Sequence, residues 1–458
     1  MSDVKRRKVA DGSVARVGDL YLDTINRHML DFDFEKVCSV SLSNLNVYAC
    51  LICGKYYQGR GKNTHAYFHS INEDHHVYIN LQTLKVYVLP EGYEVDDSSL
   101  DDIKYVIRPT FTKKQVAQLD KEAAFRYDLN NKKYIPGFVG LNNIKANDYV
   151  NVIVQALAHV RPLRDYLLLE PVDHQSPLVF QLAMLVRKMW SSQAFKGQVS
   201  PHELLQAISN ASEKRFRLST QTDPIELFSW LMNRLHMDLG GTRKKPSSSL
   251  AIISQTFQGQ LQMTSRRTTA PKQAVDDDRI VEDPNADVTT KQLPFYFLSL
   301  DLPPPPLFLD EIEKNIIPQV SLISLLHKYD GVAEQEDKGY AKQYVITRLP
   351  RYIVLHVRRF TRNNWSAEKN HTIVNFPIGN LDLNPYKPPT LGAHYNLLAN
   401  VSHDGEPGNG HYRVHVRRSA TNQWYQIEDL NVEEIQTQMI FLSESYIQIW
   451  ERHTKEQA

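Results

Sequence analysis

The chain contains three cysteines, Cys38, Cys50 and Cys53, and none after residue 53. Two of them form Cys50-Leu51-Ile52-Cys53, and His65, His69, His75 and His76 follow closely. This clustering constrains the fold more than any other feature. A disulfide framework is excluded, and the thiols point to a reducing compartment. Residues 54 to 458 can use neither a cysteine nucleophile nor a thiolate-bound metal. Two thiolates on a tight turn plus two imidazoles make a closed tetrahedral site for zinc. A redox pair is the competing reading, and the histidines so soon after the turn favour zinc. Such a site is structural, because a small unit has a thin core and gains folding free energy from the metal.

Composition sets the broad class. Lys+Arg is 53 and Asp+Glu is 52, a formal net charge of +1, so no global field draws the chain to nucleic acid or an anionic membrane. Hydrophobic residues at 42% and charged residues at 23% suit a soluble chain with a large core. No apolar run approaches the roughly 18 residues that span a bilayer. The first residues carry no apolar stretch, which argues against a secretory signal.

The chain reads as an α+β protein in four segments. Residues 1–15 are a basic disordered tail whose Lys5, Arg6, Arg7 and Lys8 are either a solvated cluster or a nuclear import signal. Residues 16–110 are a small unit with strands at His76–Leu81 and Leu84–Leu89, closed by Pro90 and Gly92. Residues 111–133 are a helical linker, helical in pattern over Lys113–Ala124. Residues 134–453 are a large mixed domain, with helices at 148–160 (stopped by Pro162), 177–190, 201–210 and 223–238. Polar loops are expected at 240–249 and 265–291, and Pro303–Pro306 reads as a stiff connector. Strands are expected at Tyr352–Val357, His394–His403, Tyr412–Val416, Gln423–Ile427 and Tyr446–Trp450.

Cys50, Cys53, His69 and His75, with the histidines six residues apart, resemble the UBP-type zinc finger of ubiquitin-specific proteases. The resemblance covers about residues 16–105 and implies one structural zinc on these ligands. Fuller members hold a second zinc. Here Ser41 and Gln58 replace two of its ligands, which leaves Cys38 and His65 as packed remnants. Some members bind the free C-terminus of ubiquitin, and Arg60 stands at the matching motif position.

Four further boxes resemble the ubiquitin-specific proteases, in their order along the chain. Gly140-Leu141-Asn142-Asn143 through Gln155 is similar to the nucleophile box, and Gln221-Thr222-Asp223-Pro224-Ile225-Glu226-Leu227-Phe228 to a helix of that family. Leu349-Pro350 through Phe360 matches a strand, and Gly410-His411-Tyr412 with Trp424 through Asp429 matches the histidine and acid box. The resemblance implies a papain-like fold, with Asn143 at the oxyanion-stabilising position, His411 at the general base, and Glu428 or Asp429 as its orienting acid. The nucleophile position holds Asp148. A thiolate is needed there, and a carboxylate attacking an isopeptide gives a mixed anhydride from which the amine returns at once. Asp148 instead starts a helix, where a carboxylate caps free N–H groups and offsets the macrodipole, worth about 0.5–2 kcal/mol. A bland reading packs these residues as remnants, with Asp148 and His411 paired by charge.

The finger and a box reading Asn-Asn-Ile-Lys-Ala-Asn-Asp-Tyr together resemble the snRNP-assembly-defective family of spliceosomal pseudo-proteases. That implies a nuclear, non-catalytic pre-mRNA splicing factor that supports assembly or maintenance of the U4/U6.U5 tri-snRNP, with spliceosomal snRNP proteins as partners. The alternatives are an adaptor that binds ubiquitin or a ubiquitin-like modifier, and a residual deubiquitinase. RNA binding through Arg358-Arg359 or Arg413, Arg417 and Arg418 is opposed by the near-zero charge and the lack of interleaved aromatics.

Overall fold

The computed structural model describes residues 17–172, 175–240, 252–267, 288–304, 317–337, 339–362, 367–386 and 393–453. The basic tail, nearly all of the 240–249 loop, the middle of the 265–291 loop and the end of Pro303–Pro306 lie outside the described residues. Two compact units emerge. The first comprises the described residues of Met1–Thr110 with Ala124–Pro136 and Arg187–Glu203. The second comprises Phe111–Ala123, Gly137–Val186 and those of Leu204–Ala458.

The first unit is built on strands β1 (Val47–Cys50), β2 (Tyr56–Gln58), β3 (Val77–Asn80), β4 (Val86–Val88) and β5 (Tyr93–Val95), in the order β2-β1-β3-β4-β5. Every pair is antiparallel. Every residue of β1, β3 and β4 is buried, so both sheet faces are covered. Successive side chains alternate between the faces. Val47, Ala49, Val77, Ile79, Val86 and Val88 face an aliphatic core. Tyr48, Cys50, Tyr57, Tyr78 and Tyr87 face a second cluster rich in tyrosine. Helix α1 (His65–Asn72) lends Ala66 to the tyrosine side. Helix α2 (Asp101–Ile107) sends Ile103 and Ile107 into the aliphatic side. Two residues of the acidic patch around the start of α2 are engaged. Asp97 caps the turn Ser98–Leu100, and Asp102 receives Arg27 at 2.5 Å.

In the second unit the linker helix is shorter than its pattern. Helix α3 is Lys113–Gln118, opened by a reciprocal Thr112/Gln115 capping box. Helix α4 (Asp148–Leu157) is buried at every position, as a helix at the centre of a large domain must be. It ends before the expected residue 160. Pro162 lies in the first turn of the next helix, α5 (Arg161–Leu169), where its missing N–H costs nothing. The remaining expected helices are α6 (Pro177–Met189), α7 (His202–Ala211) and α8 (Pro224–Asp238).

Strands β6 (Gly259–Arg267) and β7 (Val288–Phe295) pair antiparallel, so the expected 265–291 loop begins and ends in regular sheet. With β9 (Gln335–Asp337) and β10 (Tyr340–Arg348) they form a four-stranded sheet, in the order β7-β6-β10-β9. A larger sheet joins β8 (Leu298–Asp301), β11 (Tyr352–Arg358), β12 (His394–Glu406), β13 (Asn409–Arg418), β14 (Gln423–Glu428), β15 (Asn431–Ile435) and β16 (Ser445–Arg452). Its order is β8-β11-β16-β12-β13-β14-β15. The β8–β11 pair is parallel and the pairs between β11 and β15 are antiparallel. The five strands expected in the C-terminal third are therefore all present.

Candidate functional site

The first site lies at one end of β1. Gly54 closes the Cys50–Cys53 turn, with its N–H on the Cys50 carbonyl at 3.0 Å. Its φ is +75°, and a Cβ there would sit 2.2 Å from the Met29 carbonyl oxygen, so only glycine fits. Helix α1 supplies His69, and the segment entering β3 supplies His75. One donor atom from each of Cys50, Cys53, His69 and His75 lies within 4.8 Å of all the others. The pairs are Cys50 Sγ to His75 Nδ1 at 3.6 Å, Cys53 Sγ to His69 Nε2 at 3.4 Å, and His69 Nε2 to His75 Nδ1 at 3.1 Å. Zinc bonds of about 2.0–2.3 Å in a tetrahedron place donor atoms about 3.3–3.8 Å apart, so the four residues fit one zinc. The ring of Tyr57 stacks on His69 at 4.2 Å and fixes its plane. His76 is not part of the set, since its Nδ1 meets the Leu89 carbonyl at 2.7 Å and its Nε2 meets Asp74 at 2.8 Å.

The residues at the replaced ligand positions bond to one another. Ser41 Oγ donates to Gln58 Oε1 at 2.9 Å, and the Ser41 N–H reaches Cys38 Sγ at 3.4 Å. Cys38 is buried, whereas His65 is half-buried at the first turn of α1. Arg60 is exposed and lies over the Tyr87 ring at 4.1 Å.

The second site gathers around the N-terminus of α4. Gly140 lets the chain pass against β14's exit turn, since a Cβ there would lie 2.6 Å from Leu430 Cα. Asp148 is 4% exposed. Its Oδ2 accepts from the Tyr412 N–H at 3.0 Å and from Gln221 Nε2 at 2.7 Å, while Oδ1 is buried without a partner. Burial pushes its carboxyl above the usual aspartate range, against the pull of these donors. The helix-cap expectation is thus corrected. Asn147 occupies the N-cap position, and the Asp148 side chain turns instead toward β13 and Gln221.

His411 does not pair with Asp148. Its Nε2 faces Glu428 Oε1 at 3.3 Å, and among the described residues no ion pair joins it to Asp148. Asp429 serves a different purpose. Its φ is +50°, and its two oxygens accept from Asn143 Nδ2 at 2.9 Å and Asn151 Nδ2 at 2.8 Å. Glu428 is therefore the acid beside the imidazole. The Asn143 amide, expected to serve an oxyanion, is hydrogen-bonded to a carboxylate.

Three residues given no role by the sequence reading complete the site. Asn147 Nδ2 donates to the Asn142 carbonyl and to Asn151 Oδ1, and its Oδ1 accepts from the Ile144 N–H. Gln221 also donates to the Gly410 carbonyl at 3.1 Å. Asp223 caps α8 and receives the Tyr446 hydroxyl on both oxygens at 2.7 Å. All three stand in recognisable boxes, but only the fold reveals what they bond. The assembled site has an imidazole beside an acid, and a buried, engaged carboxylate at the start of α4.

Comparison with known proteins bears on the family and the fold. Residues 139–450 match the family profile of ubiquitin carboxyl-terminal hydrolases. Residues 38–100 match that of the Zn-finger in ubiquitin-hydrolases and other proteins. The probable mRNA-splicing protein ubp10 of Schizosaccharomyces pombe is 48% identical, over 95% of this chain and 88% of its own. The pre-mRNA-splicing factor SAD1 of Saccharomyces cerevisiae is 30% identical, over 94% and 93%. A crystal structure described as an essential yeast splicing factor superposes with a TM-score of 0.77 at 30% identity, covering 95% of this chain and all of that one. The chain belongs to the ubiquitin carboxyl-terminal hydrolase family, in its snRNP-assembly-defective group, with a zinc-binding finger ahead of the hydrolase-type domain.

Proposed function

We propose that this protein is a nuclear, non-catalytic pre-mRNA splicing factor that supports assembly or maintenance of the U4/U6.U5 tri-snRNP through its surfaces, with spliceosomal snRNP proteins as partners. The observation that carries the non-catalytic part is the state of Asp148. Its carboxyl is buried and bonded to Tyr412 and Gln221, and by the resemblance it stands where active relatives carry the nucleophilic cysteine. A carboxylate held this way is a poor nucleophile toward an isopeptide. The splicing part is supported by relatives whose names place them in mRNA splicing. Among the described residues no helix is long and apolar enough to cross a membrane.

The test is purification of the tagged full chain from nuclear extract. Co-recovery of U4, U5 and U6 RNAs with their proteins supports the reading. A chain that brings down ubiquitin conjugates and none of these RNAs would favour the ubiquitin-adaptor alternative.

A further inference from the structure

The tyrosine-lined face of the first unit's sheet contains one group that the four zinc ligands do not explain. Tyr78 is fully buried, and its hydroxyl finds no partner of hydrogen-bonding geometry in the protein. Buried hydroxyls are nearly always paired, and leaving one unpaired costs about 1–3 kcal/mol, so each exception calls for an explanation. Tyr78 lies directly opposite Cys50 in the β1–β3 register. Cross-strand partners of this kind have Cβ atoms about 4.5–5.5 Å apart and project from the same face. The Tyr78 side chain shares the buried cluster with Cys50, and its ring stands edge-on to His69, with centroids 6.2 Å apart. The orphaned hydroxyl therefore belongs to a fully buried ring packed among two of the ligand side chains.

We propose that Tyr78 is a positioning residue of the zinc centre, and that its hydroxyl donates a hydrogen bond to the Cys50 thiolate when zinc is bound. A neutral thiol accepts weakly, which leaves the hydroxyl unsatisfied. A zinc-bound thiolate is an anion and a strong acceptor, so metal binding supplies the missing partner. The bond draws charge from the sulfur and fixes its direction. It also couples the metal to β3, the strand that follows His75, so the sheet and the site stabilise each other.

The test uses the full chain and Tyr78→Phe, which removes one oxygen and keeps the ring. Tyr48→Phe is the control, because Tyr48 shares the cluster and packs its ring edge against Tyr87 at 6.1 Å. Zinc is titrated against a chromophoric chelator. In parallel, cobalt(II) replaces zinc so that the thiolate-to-metal charge-transfer band reports the electron density on sulfur. Tyr78→Phe is expected to weaken zinc binding by about tenfold or more and to move the cobalt band to lower energy, while Tyr48→Phe changes neither. A Tyr78→Phe protein with the wild-type cobalt band overturns the proposal, whatever its stability. Equal loss of zinc in both variants with unshifted bands overturns it too, because cluster packing would then account for the effect.

Discussion

Gln221 donates its side-chain amide to Asp148 at 2.7 Å, and the same nitrogen reaches the Gly410 carbonyl at 3.1 Å. With the Tyr412 N–H on the same carboxylate oxygen at 3.0 Å, Asp148 ties the start of α4 to β13 and to the segment leading into α8. The Asp148 carboxylate is a structural crosslink between three segments far apart along the chain.

Asp148→Ala should destabilise the protein by about 1–3 kcal/mol, because the Tyr412 N–H is left buried and unpaired. The pH dependence follows from the raised carboxyl. The folded state holds the Asp148 proton more tightly than the unfolded state does, chiefly through burial. Its stabilising contribution is full below the unfolded value of about 3.9 and falls as pH rises through the higher native value. Urea denaturation of both proteins at pH 4 and pH 7 should show the larger gap at pH 4. A gap that widens with pH would contradict the burial argument.

Asp120 should respond in the opposite sense. Burial pushes its carboxyl up, but the guanidinium of Arg164, at 2.7 and 2.8 Å, outweighs this and holds it below the usual range. That contribution is present above about pH 3.9 and lost as pH falls through the native value. Asp120→Ala removes the bidentate partner of the buried Arg164 while Asp165 stays bonded to it, and should cost about 3–5 kcal/mol at pH 7. The difference from wild type should shrink toward pH 3, measured by the same denaturation series.

The finger should hold one zinc per chain on Cys50, Cys53, His69 and His75, measurable by metal analysis of the purified protein. Cys53→Ala should lose the metal, and a chelator should expose residues 17–110 to protease. Ser41 and Gln58 already touch each other beside Cys38. Ser41→Cys combined with Gln58→Cys should therefore raise the content toward two. A metal-free but intact finger would refute the closed-site reading.

The zinc ligands were legible in the sequence because a short turn, one helix and the few residues after it supply them, so spacing along the chain nearly determines spacing in space. The long strands were legible for a similar reason, since β11 and β16 alternate or run apolar over many residues. What was hidden depends on distant partners. Asp148 was expected to cap a helix because local chemistry favours that. The donors that won come from Tyr412 and Gln221, far along the chain. The choice between Glu428 and Asp429 depends on a left-handed turn that aims one at His411 and the other at Asn143 and Asn151. The linker helix stops at Gln118 although its pattern continues, and the residues after it are drawn elsewhere, Asp120 to the distant Arg164.

The wild-type chain should release no fluorophore from a ubiquitin conjugate. Asp148→Cys places a thiol at the first turn of α4, which favours the thiolate, with His411 and Glu428 already adjacent at 3.3 Å. Activity should still be low, since the Asn143 amide is bonded to Asp429 and a long exposed lysine, Lys145, stands three residues before Asp148. A misplacement of about 1 Å costs about a hundredfold. Adding Lys145→Gly should improve labelling by a thiol-reactive ubiquitin probe. Turnover by wild type that Asp148→Ala abolishes would restore a chemical role.

The most direct measurement is the yield of spliced product in nuclear extract depleted of this protein and then supplemented with purified wild type, His411→Ala or Cys53→Ala. A non-catalytic splicing factor predicts that wild type and His411→Ala restore splicing equally, while Cys53→Ala, with its finger unfolded, does not. Full splicing in the depleted extract without any addition, or rescue by wild type that a folded His411→Ala fails to match, would contradict it.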